Sequence, residues 1–464
     1  MKNSKKLINV VLFLLIALLL SCSGNDEPIQ EQEQKLPKFE NTETMTVWDE
    51  DMIQLRTDMA VDPAKYDLFI GDSKQEYTTD QSSILSFKAK YKTENEDKEL
   101  PIVLKDKQEK TIASGGKIKI LRTYRYYPTS NGIGSPYSLV TFILNNDNSF
   151  YVSTAVGVMG DEIIIRQFNY LGINDKNWVN TNNLSSNSTE VYPPKTDFGR
   201  VSVTDKQKRF YPLGFAKYGN KFYITRVYRL DSSPAAYTCP IFIIDGNAVS
   251  LYKYNNQAVC FQSQLTDIVV DSHGNLFVYC VNTPAIYKLN ETSGIQLFAG
   301  SETESGYRDG KGNNARFGKP LDDGVRNLLI DGNDNIYVAE KTKIRKITPD
   351  GTVSTFIGTE ESADVVGSMS KARFTDIKAF AMTKKNVIYL TEENTDYIKI
   401  IDSDKQTVAK MKVVGVPGSV SNFSTSTHFR IVVNEQGIIF MEQPYTLNGS
   451  FITVLCPNDL QKKD

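Results

Sequence analysis

The sequence predicts an all-β protein, a six-bladed β-propeller preceded by a small β-sandwich. Two observations carry that prediction. The first is a repeat. A polar residue or glycine followed by an apolar and aromatic run appears as Asn148-Ser149-Phe150-Tyr151-Val152 and Asn220-Lys221-Phe222-Tyr223-Ile224. It recurs as Gly274-Asn275-Leu276-Phe277-Val278, Asp334-Asn335-Ile336-Tyr337-Val338, Asn386-Val387-Ile388-Tyr389-Leu390 and Gly437-Ile438-Ile439-Phe440-Met441. The aromatic positions 151, 223, 277, 337, 389 and 440 stand 72, 54, 60, 52 and 51 residues apart. Repeats of that length made of short strands are the mark of a propeller, and six occurrences imply six blades. The second observation is the stretch 41–116. Met52-Ile53-Gln54-Leu55, Tyr66 to Gly71, Ile84-Leu85-Ser86-Phe87 and Leu100 to Leu104 are strand-like runs divided by turn residues, at the spacing of a small sandwich.

The fourth copy shows the blade in full. Val325 to Asp331 reads as an inner strand, and Asp331-Gly332-Asn333-Asp334 as a hairpin turn rich in residues that tolerate positive φ. Asn335 to Glu340 is the second strand and Ile344-Arg345-Lys346-Ile347 the third. Pro349-Asp350-Gly351 then turns the chain into Thr352 to Ile357. The alternating oxygen donors of Asp331 to Asn335 resemble a calcium loop only superficially. The helix-flanked twelve-residue frame with its closing glutamate is missing, so these residues read as a turn.

A loop precedes this blade, Gly306-Tyr307-Arg308-Asp309-Gly310-Lys311-Gly312-Asn313-Asn314-Ala315-Arg316-Phe317. A second copy, Gly367 to Phe374, ends in Ala372-Arg373-Phe374. The Asp-Gly-x-Gly-x-x-Ala-Arg-Phe pattern resembles the NHL-type repeat, most clearly over 265–402. The layout of 41–116 resembles an IPT/TIG immunoglobulin-like domain. Together on one chain they are similar to surface lipoproteins found beside nutrient-import systems in gut-commensal Gram-negative bacteria. That resemblance implies an accessory binding protein for an outer-membrane import complex.

The N-terminus agrees with such a place. Lys2, Lys5 and Lys6 are followed by Leu7 to Leu20, a 14-residue apolar run broken only by Asn9. That is short for a membrane span and right for a signal-peptide core. It ends Leu19-Leu20-Ser21-Cys22, which resembles a bacterial lipobox with Cys22 as the lipidated residue. Several acyl chains on one cysteine make anchoring stable. Residues 23–40 are polar and acidic and cannot bury enough apolar surface to fold. Acidic residues directly after the lipid cysteine resemble a surface-export signal. The expected organisation is therefore 1–21 signal peptide, 22–40 tether, 41–116 sandwich and 117–464 propeller, outside the cell on the outer membrane.

Composition excludes other classes. The chain has 464 residues, 53 Lys+Arg, 55 Asp+Glu and a formal net charge of −2. Loss of Lys2, Lys5 and Lys6 with the signal peptide takes that charge to −5. No basic stripe is present for nucleic acid. Only 2 histidines occur, His273 and His428, so a His-rich metal site is not expected and no cofactor is. Lyases on NHL-like propellers set several histidines around the channel, and this chain departs from that pattern. Cys239, Cys260, Cys280 and Cys456 allow three disulfide pairings or buried thiols.

The candidate ligand residues are Trp178, Tyr228, Tyr237, Tyr307, Arg308, Arg316, Arg373 and Tyr445. The aromatics, with Tyr126 and Tyr127, fall outside the repeated motif, and several are expected in loops on one propeller face. Flat rings there suit stacking on sugars. Arg316 and Arg373 recur before Phe317 and Phe374, so they either meet an anion or hold the loop, for instance by pairing with Asp309. A glycan-binding accessory protein is the leading expectation. A channel-sited hydrolase or lyase using carboxylates, and a protein-interaction scaffold, are the alternatives. Finally, Lys117 to Arg122 is expected to supply the outer strand that the last blade lacks.

Overall fold

The computed structural model describes residues 35–80, 83–127, 140–146, 149–156, 162–169, 188–195, 211–230, 236–246, 248–261, 265–280, 283–318, 327–393, 395, 397–414, 431–446 and 449–457. Among them the regular structure is β, with short 3₁₀ turns at Thr93–Asn95 and Gly312–Asn314.

The N-terminal part holds two sheets. One is five-stranded in the order Met45–Trp48, Thr111–Leu121, Leu100–Asp106, Tyr66–Ile70, Ser73–Gln75. The other is three-stranded in the order Met52–Arg56, Ile84–Lys88, Tyr77–Thr79. Ile53 and Leu55 alternate with exposed Met52, Gln54 and Arg56, and Leu85 and Phe87 are buried on the partner strand. Leu68, Ile70, Ile102 and Leu104 are the buried residues of the larger sheet, so one apolar face per sheet meets the core. Gly116 is needed where two backbones approach, because a Cβ there would lie 2.0 Å from the Glu43 carbonyl oxygen.

Six antiparallel sheets follow among the described residues. The first joins Val140–Asn146, Ser149–Val156, Glu162–Asn169 and Ser188–Lys195. The second joins Tyr211–Tyr218, Lys221–Leu230, Ala236–Asp245 and Ala248–Leu251. The third is Leu265–Val270, Leu276–Cys280, Ala285–Asn290 and Gly294–Gly300. The fourth is Leu328–Ile330, Ile336–Glu340, Lys343–Ile347 and Thr352–Gly358, with Gly310–Lys311 along its outer edge. The fifth is Ile377–Met382, Val387–Glu392, Tyr397–Asp402 and Thr407–Val414, with Gly367–Ser368 along its outer edge. The sixth is Ile431–Val433, Ile439–Thr446, Gly449–Pro457 and Thr123–Tyr127. Contacts between the inner parts of the blades run from the first round to the sixth and back to the first, so the sheets form a closed six-bladed propeller. All six repeat aromatics lie on second strands.

Local chemistry explains the recurring first hairpin. Asp271 Oδ1 accepts the backbone N–H groups of His273 and Asn275, and Asp331 Oδ1 those of Asn333 and Asn335. Asn434 Oδ1 does the same for Gln436 and Ile438. A short acceptor at the end of the inner strand thus turns the chain before the second strand begins. Between blades, side chains interleave. Tyr124, Ile431, Ile439 and Leu455 of the sixth blade pack with Ala379, Tyr389 and Ile398 of the fifth. Val269, Phe277 and Ile286 of the third pack with Leu328, Ile336 and Val353 of the fourth.

Closure differs from the sequence expectation. Residues 117–121 are the end of Thr111–Leu121 in the N-terminal five-stranded sheet. The strand that completes the sixth blade is the next one, Thr123–Tyr127, which pairs antiparallel with Gly449–Pro457 and parallel with Thr407–Val414. Both runs read as strands, and Arg122 alone separates them. The domain boundary follows suit. The compact units are 1–44 with 53–87 and 100–117, and 45–52 with 88–99 and 118–464. Segments 45–52 and 88–99 group with the propeller, whereas the sequence implied one cut after 116.

Truncation after Asn448 is predicted to destabilise the whole propeller. It deletes the strand that bonds Thr123–Tyr127 and removes the buried Val454 and Leu455, each worth about 1.5–3 kcal/mol of burial. Thermal unfolding followed by far-UV circular dichroism should show a lowered transition for the propeller. Unchanged melting would refute closure by the two chain ends.

Candidate functional site

The loop before the fourth blade is built from its own backbone first. Arg308 N–H donates to the Arg316 carbonyl at 3.3 Å and Arg316 N–H to the Arg308 carbonyl at 2.9 Å. Gly306 N–H donates to the Phe317 carbonyl at 2.9 Å. The loop before the fifth blade repeats the pattern with Val365 and Arg373, and with Ala363 and Phe374. In each, alanine and phenylalanine are fully buried (Ala315 and Phe317, Ala372 and Phe374) and the arginine between them points away from that core.

A buried ion pair sits under each loop. Glu340 and Arg345 are both 0% exposed, with Arg345 Nη1 3.1 Å from Glu340 Oε2. Arg345 also donates to the Arg316 carbonyl at 3.2 Å, the Arg308 carbonyl at 3.0 Å and Asp309 Oδ1 at 2.6 Å. Its guanidinium carbon lies 5.6 Å from the Phe317 ring centre. Glu340 Oε1 accepts the Gly318 N–H at 2.7 Å. Burial pushes the Glu340 carboxyl above its usual range, against the pull of Arg345. The fifth blade substitutes lysine. Lys399 Nζ is 2.6 Å from Glu392 Oε2, donates to the Arg373 carbonyl at 3.0 Å and lies 4.9 Å from the Phe374 ring centre. Glu392 Oε1 accepts the Thr375 N–H at 2.5 Å.

The candidate arginines serve these loops. Arg316 pairs with Glu304, Nε to Oε2 at 2.9 Å, and donates to the Asn313 and Ala315 carbonyls. The expected partner Asp309 is taken instead by Arg345 and by Thr355 N–H. The Arg316 guanidinium holds the Glu304 carboxyl below its usual range. Arg373 donates to the Ala372 carbonyl and lies 3.8 Å from Glu361. Arg308 Nε donates to the Asn314 carbonyl at 2.7 Å. All three therefore bond their own loops.

Tyr307 is 37% exposed. Lys343 Nζ lies 4.1 Å from its ring centre, and a Cβ at position 318 would come within 2.9 Å of its Oη. Gly318 thus makes room for the ring. Other candidates fall on strands, not loops. Tyr228 lies near the end of Lys221–Leu230 and Tyr237 near the start of Ala236–Asp245, where Arg229 is opposite Tyr237. Tyr445 is near the end of Ile439–Thr446, and Tyr126 and Tyr127 are in Thr123–Tyr127. Extended hairpins continue pairing where sequence reading placed loops. Trp178, Cys22 and His428 lie outside the described residues.

Sequence reading expected a central channel but singled out none of the side chains that line it. A cavity of about 360 Å³ is lined by the innermost strands of several blades, among them Phe215, Ala216 and Lys217, Asp267 to Val270, and Asn327 to Ile330. Its polar side chains are Lys217, Asp267 and Asn327. They come from three blades, so their proximity has no local sequence signal.

His273 sits in an exposed turn with Nδ1 3.1 Å from Ser272 Oγ and 3.6 Å from Asp334 Oδ2. Asp334 belongs to the turn once compared with a calcium loop, and its carboxylate accepts from Ser272. No metal-binding group of three or more such residues occurs among the described residues. Cys260, Cys280 and Cys456 carry thiols, and burial pushes that of Cys280 up to about 12.

No known family profile matches the chain, and no curated protein matches it. Solved structures do resemble it. A Bacteroides thetaiotaomicron protein of unknown function shares 12% identity at a TM-score of 0.44, over 94% of this chain and 100% of its own. An auxiliary nutrient binding protein from the same organism shares 11% at 0.44, over 91% of this chain and 98% of its own. Virginiamycin B lyase from Staphylococcus aureus shares 12% at 0.37, over 87% and 98%. At this identity and these TM-scores the likenesses say nothing about ligand or activity.

Proposed function

We propose that this protein is a lipid-anchored protein of the outer-membrane surface that binds an extracellular glycan as an accessory to an outer-membrane importer. The anchor and location rest on the sequence, namely the basic start, Leu7 to Leu20 and the lipobox-like Leu19-Leu20-Ser21-Cys22. The glycan reading rests on one structural observation, the seating of Tyr307. The ring is exposed, yet it is fixed by Lys343 and Gly318 on a loop that Arg345 bonds from beneath. A pre-ordered aromatic loses little conformational entropy when a sugar stacks on it. Arg308, next in the chain, is exposed, and its Nε bonds the Asn314 carbonyl.

Two measurements test this. For a glycan identified by array screening, Tyr307→Ala and Trp178→Ala should each weaken binding roughly tenfold, as loss of a stacked ring worth about 1–2 kcal/mol does. His273→Ala and chelation should leave the affinity unchanged. Loss of binding on chelation, with both aromatic variants unaffected, would refute the stacking reading. Separately, Cys22→Ala should release the protein from the membrane fraction. Incorporation of labelled fatty acid into that variant would refute lipidation at Cys22.

A further inference from the structure

We propose that the outer strand of the third blade, Gly294–Gly300, pairs edge to edge with the same strand of a second copy of this chain.

Two other blades show how such an edge is closed. In the fourth, Val353 is opposite Ile347 on one side and Gly310 on the other, and is 1% exposed. In the fifth, Val408 is opposite Ile401 and Gly367, and is 3% exposed. The third blade has the same register, with Ile295 opposite Leu289. Among the described residues no strand pairs with its outer side, and Ile295 is 44% exposed. Leu297, two residues along and so on the same face, is 37% exposed. The segment entering the third blade is committed elsewhere. Lys253–Tyr254 pairs with Gln257–Ala258, and Cys260–Phe261 pairs with Ala236–Asp245 of the second blade.

The backbone at this edge is open as well. In the fourth blade Thr355 sends its N–H outward to Asp309 Oδ2 at 2.9 Å. Peptide groups of an edge strand alternate in direction, so Val353 and Thr355 both present theirs to the outside. Leu297 opposite Tyr287 and Ile295 opposite Leu289 repeat Thr355 opposite Arg345 and Val353 opposite Ile347. Ile295 and Leu297 therefore present their N–H and C=O groups outward, where a further strand can take them.

The composition of the strand selects the occupant. Native edges are guarded by charge or proline, and Gly294-Ile295-Gln296-Leu297-Phe298-Ala299-Gly300 has neither. Two identical strands bring identical charges together, and here there are none to repel. The outer strand of the fifth blade, by contrast, carries Lys410 and Lys412. Antiparallel pairing about a two-fold axis at Gln296 sets Ile295 against the second copy's Leu297, and Leu297 against its Ile295. Both pairs exchange backbone hydrogen bonds and bury apolar side chains against each other. A foreign strand must match this spacing by its own sequence, whereas a second copy matches it by symmetry. One strand from each copy is small beside the roughly 1,200–2,000 Å² of a stable interface, so the dimer is reversible.

The test is disulfide trapping in the detergent-solubilised full chain. Cys260 is exposed, so Cys260→Ser is the background. On the two-fold axis Gln296 faces its own copy as a non-hydrogen-bonded pair, about 4.5 Å between Cα atoms, within disulfide reach. Gln296→Cys should give a covalent dimer on mild oxidation, seen on a non-reducing gel. Ser354→Cys, the exposed equivalent in the fourth blade, should give little more than the background chain. Adding Leu297→Lys to Gln296→Cys should lower the cross-linked fraction about fivefold or more. Thermal melts confirm that each variant is folded. Equal trapping by Ser354→Cys, no effect of Leu297→Lys, or no dimer from Gln296→Cys would overturn the proposal. So would a cross-link from Gln296→Cys to a different protein in intact cells with no self-linked dimer, the result expected of a foreign strand.

Discussion

The buried ion pair beneath each long loop is the interaction on which the rest of the second unit's surface depends. Glu340 with Arg345, and Glu392 with Lys399, place opposite charges where water does not reach. Such burial is costly, and hydrogen bonds from the remaining donors and acceptors offset it. Here most of them reach the backbone, with Arg345 Nε left unbonded. Each cation takes the carbonyl of the loop arginine and lies by the ring of the following phenylalanine, while each glutamate takes the next backbone N–H but one from that arginine. Arginine in one blade and lysine in the other make the same closure with different reach. Arg345 engages two carbonyls and two carboxylates, where Lys399 engages one carbonyl with Glu392 and Asp364.

The loop arginines are bonded within the same framework. Their carbonyls are held from beneath and their guanidinium groups are spent on Glu304, Glu361 and loop carbonyls. On the outer side of the fourth-blade loop the ring of Tyr307 remains 37% exposed. Between the innermost strands lies a small cavity with few polar groups.

Much of this was legible in the sequence, for physical reasons. Apolar-aromatic runs at a fixed spacing marked all six second strands, because every blade must bury the same face against its neighbours. Asp331-Gly332-Asn333-Asp334 was readable as a turn because a short acceptor must satisfy its N–H groups. The strand Thr123–Tyr127 was misplaced by a few residues, since two strand-like runs meet at Arg122 and only pairing decides which sheet each joins. The sequence reading placed Glu340 and Arg345 on the second and third strands of the fourth blade and assigned them no partner. Their signal was the recurrence of a Glu ending the second strand and a cation in the third, in both blades with the Ala-Arg-Phe loop. Lys217, Asp267 and Asn327 had no signal at all, because the ring, not the local chain, brings them to one cavity.

The most direct test is a double-mutant cycle on the fourth blade, with Glu340→Gln, Arg345→Met and both together, measured by denaturant unfolding. Arg345→Met leaves Glu340 buried without its cation and should cost about 3–5 kcal/mol, whereas Glu340→Gln leaves Arg345 with Asp309 and should cost less. The double variant should cost clearly less than the two singles combined, with a coupling of about 1–3 kcal/mol. Additive losses, or an Arg345→Met loss below about 1 kcal/mol, would contradict the ion pair as the fastening of the loop.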